Sequence, residues 1–116
     1  MVMPEFQALV NDVKKEIKEI DIDELKRMQQ AGENFTLLDV RDKEDAEKGM
    51  IPGAVNLSRG TLEYSIDQVT TDKDRKLVLY CGGGSRSALA ASSLKRMGFK
   101  NVMSLAGGYR GWSKNK

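Results

Sequence analysis

Apolar positions along this chain alternate between helical spacing and short buried runs. Phe6, Leu9, Val10 and Val13 recur at spacings of three and four, which predicts an amphipathic helix over residues 5–15, packed on a main body. Residues 16–20, Glu-Ile-Lys-Glu-Ile, alternate polar and apolar and predict a short strand, charged enough for a sheet edge. Asp21 or Asp23 can cap a helix carrying Leu25 and Met28, with Gly32 to end it. Phe35-Thr36-Leu37-Leu38-Asp39-Val40 is apolar without alternation, the mark of a strand buried on both faces. The charged stretch 41–48 predicts a short solvated helix closed by Gly49, and Ile51-Pro52-Gly53 forces a turn. Ala54-Val55-Asn56-Leu57 predicts another short strand, 59–67 a loop or helix, and 70–76 a polar surface segment.

The clearest unit follows. Leu77-Val78-Leu79-Tyr80 predicts a buried strand, and Cys81-Gly82-Gly83-Gly84-Ser85-Arg86-Ser87 a glycine-rich loop. Residues 88–97 predict a helix with Ala90, Ala91, Leu94 and Met97 available to a sheet, ended by Gly98. Val102-Met103-Ser104-Leu105 is the last predicted strand, with a turn at Gly107-Gly108 and a helical turn from Tyr109 to Trp112. Lys114 and Lys116 read as a solvated tail. Strands alternating with helices, several of them apolar throughout, argue for an α/β domain with a parallel sheet covered on both faces.

Length and charge narrow the function. At 116 residues there is room for one domain. A net charge of +2 gives no bulk-charge argument for nucleic acid or membrane as partner. No apolar run approaches the ~20 residues of a membrane span, and residues 1–11 lack the basic start and apolar stretch of a secretory signal. The single cysteine excludes an internal disulfide and points to a reducing compartment, so a cytoplasmic location is expected. With no histidine, a histidine base, a triad or a histidine-ligated metal cannot be built, and one cysteine excludes a cysteine-rich zinc site. No metal or organic cofactor is therefore expected. Covalent chemistry must use Cys81, a hydroxyl, a carboxylate or a lysine.

Cys81 is placed for such chemistry. In open α/β sheets ligands bind beyond the carboxyl ends of the strands, and Cys81 lies between a predicted strand and a helix N-terminus. Consecutive glycines let several N–H groups point inward, a nest that holds an anion and stabilises a thiolate. Arg86 can fork onto an anionic substrate, and Ser85 and Ser87 can donate hydroxyl hydrogen bonds or cap the helix. A lone cysteine after an apolar strand is more often a small buried hydrophobe. The succession of strand, cysteine, glycine-rich loop, arginine and helix favours a functional thiolate here. The loop lacks the Gly-Lys-Ser/Thr ending of a phosphate-binding P-loop, which argues against nucleotide hydrolysis.

Three ordered blocks between about Ile17 and Trp112 resemble the single-domain rhodanese (thiosulfate sulfurtransferase) family. They are Leu37-Leu38-Asp39-Val40-Arg41 followed by Gly49-Met50-Ile51-Pro52-Gly53-Ala54-Val55-Asn56-Leu57; Leu79-Tyr80-Cys81-Gly82-Gly83-Gly84-Ser85-Arg86-Ser87; and Gly98-Phe99-Lys100-Asn101-Val102 with Leu105-Ala106-Gly107-Gly108-Tyr109 and Trp112. The resemblance implies a three-layer fold, a five-stranded parallel sheet with helices on both faces, over residues 17–116, preceded by a helical extension at 1–16. It implies that Cys81 takes a sulfane sulfur from a small anionic donor, thiosulfate or a persulfide, and passes it to cyanide or a thiol, which can belong to a protein. Gly82, Gly83, Gly84, Ser85, Arg86 and Ser87 would cradle the persulfide and donor, and Arg59 is a further candidate for the donor anion. Asp39 and Arg41 read as a structural ion pair beside the site. Met50 replaces the family's common histidine, Ala46 its common aromatic and Asp45 its common glutamate.

Two other functions compete. Cysteine phosphatases and arsenate reductases also hold a thiolate in an anion loop, but with one residue more between cysteine and arginine than the four found here. A non-catalytic rhodanese-like module that binds proteins would usually lack the cysteine.

Overall fold

The computed structural model describes residues 2–114; residues 1, 115 and 116, including the expected tail at Lys116, lie outside the described residues. Five strands, β1 (Lys18–Ile20), β2 (Thr36–Asp39), β3 (Val55–Asn56), β4 (Leu77–Tyr80) and β5 (Val102–Leu105), form one parallel sheet in the order β1-β5-β4-β2-β3. Every pairing is parallel, with Leu38 beside Leu79 and Leu79 beside Ser104 across the centre.

Strand parity sorts the core into two halves. Leu38, Val40, Leu77, Leu79, Cys81 and Val102 point to one face, where Leu62 and Ile66 and, from α5 (Ser85–Arg96), Ala90, Ala91 and Leu94 cover them. Leu37, Val78, Tyr80, Met103 and Leu105 point to the other, under Leu25 and Met28 of α2 (Ile22–Gln30) and Tyr109 and Trp112 of α6 (Gly108–Lys114). Both faces are thus covered by helices, as the unbroken apolar strands predict.

Local chemistry explains the element ends. Asp21 caps α2, accepting the Glu24 N–H at 2.8 Å. The first helix, α1 (Pro4–Lys14), starts with Pro4, carries Glu5 in its first turn and Lys14 in its last, and buries Val10 and Val13 against α5. Strand β1 is shorter than predicted because a turn occupies residues 15 and 16. Strand β3 shrinks to Val55 and Asn56; it pairs only with β2 at the sheet edge. The ambiguous 59–67 region folds as two 3₁₀ turns, Arg59–Thr61 and Ile66–Gln68, around α4 (Leu62–Ser65). A short α3 (Lys43–Glu47) takes the charged stretch. Helix α6 runs on to Lys114, so that residue closes a helix and does not belong to a loose tail.

The topology points to one place for a ligand. The connection leaving β4 runs to β5, and that leaving β2 runs to β3 on the opposite side. The carboxyl ends of β4 and β2 therefore flank a switch point, where the crevice of an open α/β sheet opens. Cys81 stands at the first of these ends and Arg41 just beyond the second.

Candidate active site

Helix α5 begins at Ser85, earlier than periodicity predicts, with Gly84 as its N-cap residue at φ 110°. That left-handed conformation suits glycine. No side chain caps the helix. Neither Ser85 nor Ser87 does so, although both were candidates. The cysteine sulfur takes that place: Cys81 Sγ accepts the Gly84 N–H at 3.1 Å and the Ser87 N–H at 3.4 Å. The Ser87 hydroxyl lies 3.6 Å from the sulfur. Burial pushes the Cys81 thiol up. The Ser87 hydroxyl and the N–H groups of Ser87, Gly84 and Gly83 outweigh that effect and hold it below the ordinary thiol value. The sulfur occupies the position of a helix-capping anion, as the glycine-rich loop predicts.

A residue outside the predicted site supports this arrangement. Ser104 of β5 is fully buried, and its Oγ lies 2.8 Å from Ser87 Oγ. Ser87 Oγ also donates to the Gly84 carbonyl at 3.2 Å. The hydroxyl that faces the sulfur is thus positioned from the sheet and from the loop. The signal for Ser104 was a polar residue within a strand whose burial is otherwise apolar.

The loop is closed from downstream. The Tyr109 N–H donates to the Cys81 carbonyl at 2.8 Å, and the Arg110 N–H to the Gly82 carbonyl at 3.1 Å. Gly108, at φ 56°, makes this approach feasible: a Cβ there would lie 2.5 Å from the Cys81 oxygen and 2.7 Å from that of Gly82.

Above the thiol is an open pocket of about 230 Å³, lined by Val2 and Phe6 of the N-terminal segment, by Cys81, Gly82, Gly83, Ser85 and Arg86 of the loop, and by Arg110 of α6. Arg110 was not predicted as a site residue. Arg59 lies elsewhere. Its guanidinium donates to Glu63 at 2.8 Å, and it lines a groove with Leu9, Leu89 and Arg96 that does not include Cys81. The helical turn that follows Arg59 places Glu63 at i+4, where it captures the charge.

Asp39 and Arg41 are brought together as expected. Asp39 is fully buried; its carboxylate accepts from Arg41 Nη2 at 2.7 Å, from Nε at 3.0 Å and from the Arg41 backbone N–H at 2.9 Å. Arg41 also donates to the Gly49 carbonyl at 2.6 Å, and its guanidinium lies 4.2 Å from the centre of the Tyr109 ring. Tyr80 donates its hydroxyl to Asp39 at 3.0 Å and accepts the Ile51 N–H at 3.1 Å. Hydrogen bonding to Asp39 holds the guanidinium charged against burial, and burial pushes the Tyr80 phenol up. The network lies on the Tyr80 face of the sheet, so it braces the loop after β2 and does not reach the sulfur. Tyr109 and Trp112 stack in succession on this same face, as lids on the core.

An open parallel sheet with a hydrogen-bonded thiol at its switch point, just ahead of the N-terminus of α5, places the chain among α/β proteins with a ligand crevice at the strand ends. Comparison with known proteins is more specific. Residues 21–115 match the model of the rhodanese-like domain, and the chain belongs to that family. It is 39% identical over 97 residues to YtwF of Bacillus subtilis, named as a candidate sulfurtransferase, across 84% of this chain and 91% of that one. It is 37% identical over 95 residues to the thiosulfate sulfurtransferase GlpE of Shewanella oneidensis, across 82% and 91%. A further curated relative is longer, and this chain spans 51% of it. Among solved structures, RPA3614 of Rhodopseudomonas palustris superposes with a TM-score of 0.86 at 30% identity, across 99% of this chain and 93% of the other. That protein is described as of unknown function, with tyrosine phosphatase activity suggested for it.

Proposed function

We propose that the protein is a sulfurtransferase working through a persulfide on Cys81. The observation that carries this reading is the sulfur itself: one buried thiol, held acidic by N–H groups and a hydroxyl, opening on a pocket with two arginines. Membership of the rhodanese-like family, with relatives named as sulfurtransferases, supports it.

Each half-reaction is a displacement at sulfur. The Cys81 thiolate attacks the sulfane sulfur of thiosulfate; a sulfur–sulfur bond to Cys81 forms, the original sulfur–sulfur bond breaks, and sulfite leaves with its electron pair. The terminal sulfur carries the negative charge, and the loop N–H groups that face Sγ are the donors available to it. Cyanide or a thiolate then attacks that outer sulfur, releasing thiocyanate or a new persulfide and restoring the Cys81 thiolate. No step needs a histidine base, because the loop N–H groups favour the Cys81 thiolate over the thiol and the leaving group departs as an anion.

A phosphatase reading, suggested for RPA3614, meets two obstacles here. Among the described residues no carboxylate lines the Cys81 pocket to protonate an alkoxide leaving group, and only four residues separate Cys81 from Arg86. The cysteine and its acidity also argue against a module that only binds proteins.

The test is intact-protein mass after incubation with thiosulfate, then with cyanide. A gain of about 32 mass units on Cys81, removed by cyanide, is the expected result. No adduct in the absence of reductant, with turnover of a phosphate ester instead, would overturn the assignment.

A further inference from the structure

We propose that Arg110 and Arg86 form a two-guanidinium clamp over Cys81 that selects doubly charged sulfur donors over singly charged ones. The inference rests on the sulfur-transfer reading and names its substrate class. Its starting point is the bareness of the loop. A Cβ at Gly83 would lie 2.1 Å from Arg110 Nη2 and 3.2 Å from Arg110 Cζ, so the guanidinium of α6 occupies the space that any side chain at position 83 would need. A Cβ at the neighbouring Gly82 would lie 3.9 Å from Arg86 Nη2. The bare Gly83 therefore leaves its place to Arg110 of α6, while Arg86 of the first turn of α5 lies at ordinary contact distance from Gly82. The Arg110 N–H, bonded to the Gly82 carbonyl, holds the base of its side chain against the loop.

Among the described residues, neither guanidinium has an ion pair, a condition shared with Arg75 and Arg96, whereas Arg27, Arg41 and Arg59 pair with carboxylates. Arg86 and Arg110 both line the Cys81 pocket, and no acidic residue among those described lines it with them. Two guanidinium charges outweigh the single charge of the Cys81 thiolate, so the pocket attracts an anion in proportion to its charge. Thiosulfate carries two charges. An alkanethiosulfonate offers the same sulfane sulfur and similar sulfonyl oxygens but one charge, and its leaving group is a sulfinate. The apolar wall made by Val2 and Phe6 can take the alkyl group, so shape does not exclude the monoanion. Charge is then what separates the two donors.

The experiment compares thiosulfate with methanethiosulfonate in the wild type, Arg110→Ala, Arg110→Lys and Gly83→Ala, with cyanide as acceptor. Arg110→Ala is expected to raise the thiosulfate KM about tenfold and the methanethiosulfonate KM about threefold, with kcat within about twofold. Arg110→Lys restores most of the discrimination, since it keeps the charge. Gly83→Ala keeps Arg110 but displaces its guanidinium, and is expected to lose part of the same preference. A second readout needs no sulfur transfer: the rate of Cys81 alkylation by anionic iodoacetate relative to neutral iodoacetamide. That ratio should fall severalfold in Arg110→Ala. Equal losses for both donors, or an alkylation ratio unmoved by Arg110→Ala, overturn the clamp. A wild-type protein that takes sulfur from neither donor, while the alkylation ratio still falls in the variant, overturns the sulfur-transfer reading and the donor preference but upholds the paired anion site.

Discussion

Tyr80 and Cys81 are adjacent in the chain and point to opposite faces of the sheet, and the two polar clusters they enter are built on opposite plans. On the Tyr80 side the charges are buried and satisfied. Arg41 meets Asp39 through two nitrogens, a carbonyl at Gly49 and an aromatic face at Tyr109. On the Cys81 side the pocket is open, and among the described residues its two arginines have no ion pair. A paired charge fixes geometry, and an unpaired one keeps its field for a ligand. The comparison separates arginines that hold the fold from arginines that serve the site.

The comparison can be broken first at the nucleophile. Cys81→Ser keeps the shape and the hydrogen-bonding groups of the loop. It should fold and lose persulfide formation altogether, as measured by mass; retention of transfer near the wild-type level would place the chemistry elsewhere. The next largest effect lies across the sheet. Asp39→Ala leaves Arg41 buried with its main partner gone and should cost about 3–5 kcal/mol in urea unfolding. Cys81 alkylation at low temperature should stay close to wild type, because the two clusters occupy different faces. A loss of thiol reactivity equal to the loss of stability would join the clusters into one unit.

Smaller effects sharpen the picture at the sulfur. The iodoacetamide rate of the wild type should rise with pH through a midpoint below the ~8.5 of a free thiol. Ser87→Ala removes the hydroxyl next to Sγ but not the burial, so the midpoint should move up. Ser104→Ala should move it the same way by less, since its hydroxyl acts through Ser87. The sign carries over to stability. The folded thiol is the stronger acid, so its ionisation adds stability that is fully present above about pH 8.5 and is lost as pH falls through the lowered folded value. Wild-type and Cys81→Ser urea midpoints should therefore diverge as pH rises. The smallest effect expected is at Arg59. Arg59→Ala removes a half-exposed pair with Glu63 worth about 0.3–0.5 kcal/mol and should leave the thiosulfate KM unchanged.

What was legible in the sequence follows the range of the interactions involved. The buried strands β2, β4 and β5 announce themselves by unbroken apolar runs, and the thiol loop by the continuous run from Cys81 to Ser87. Both are local. The ends of β1 and β3 were overdrawn because edge pairing trims them. The site residues that escaped come from distant segments. Arg110 reaches the loop from α6, and its only trace in the sequence was the lack of side chains at Gly82 and Gly83. Ser104 left a trace as a hydroxyl inside an apolar strand. Arg59 is held away from the thiol by Glu63, four residues on. The apolar patterning alone yields the five strands, and the sequence resemblance adds their assembly into one three-layer domain.

The meeting of Gly108 with the carbonyls of Cys81 and Gly82 also sets an order of events. During synthesis the cysteine leaves the ribosome well before the segment that braces its loop, and β5 with Ser104 is also still to come. Until that downstream stretch folds back, the loop lacks the clasp from Tyr109 and the Ser87 hydroxyl lacks its partner Ser104. The cup around the sulfur is therefore finished last, by segments made after the cysteine itself.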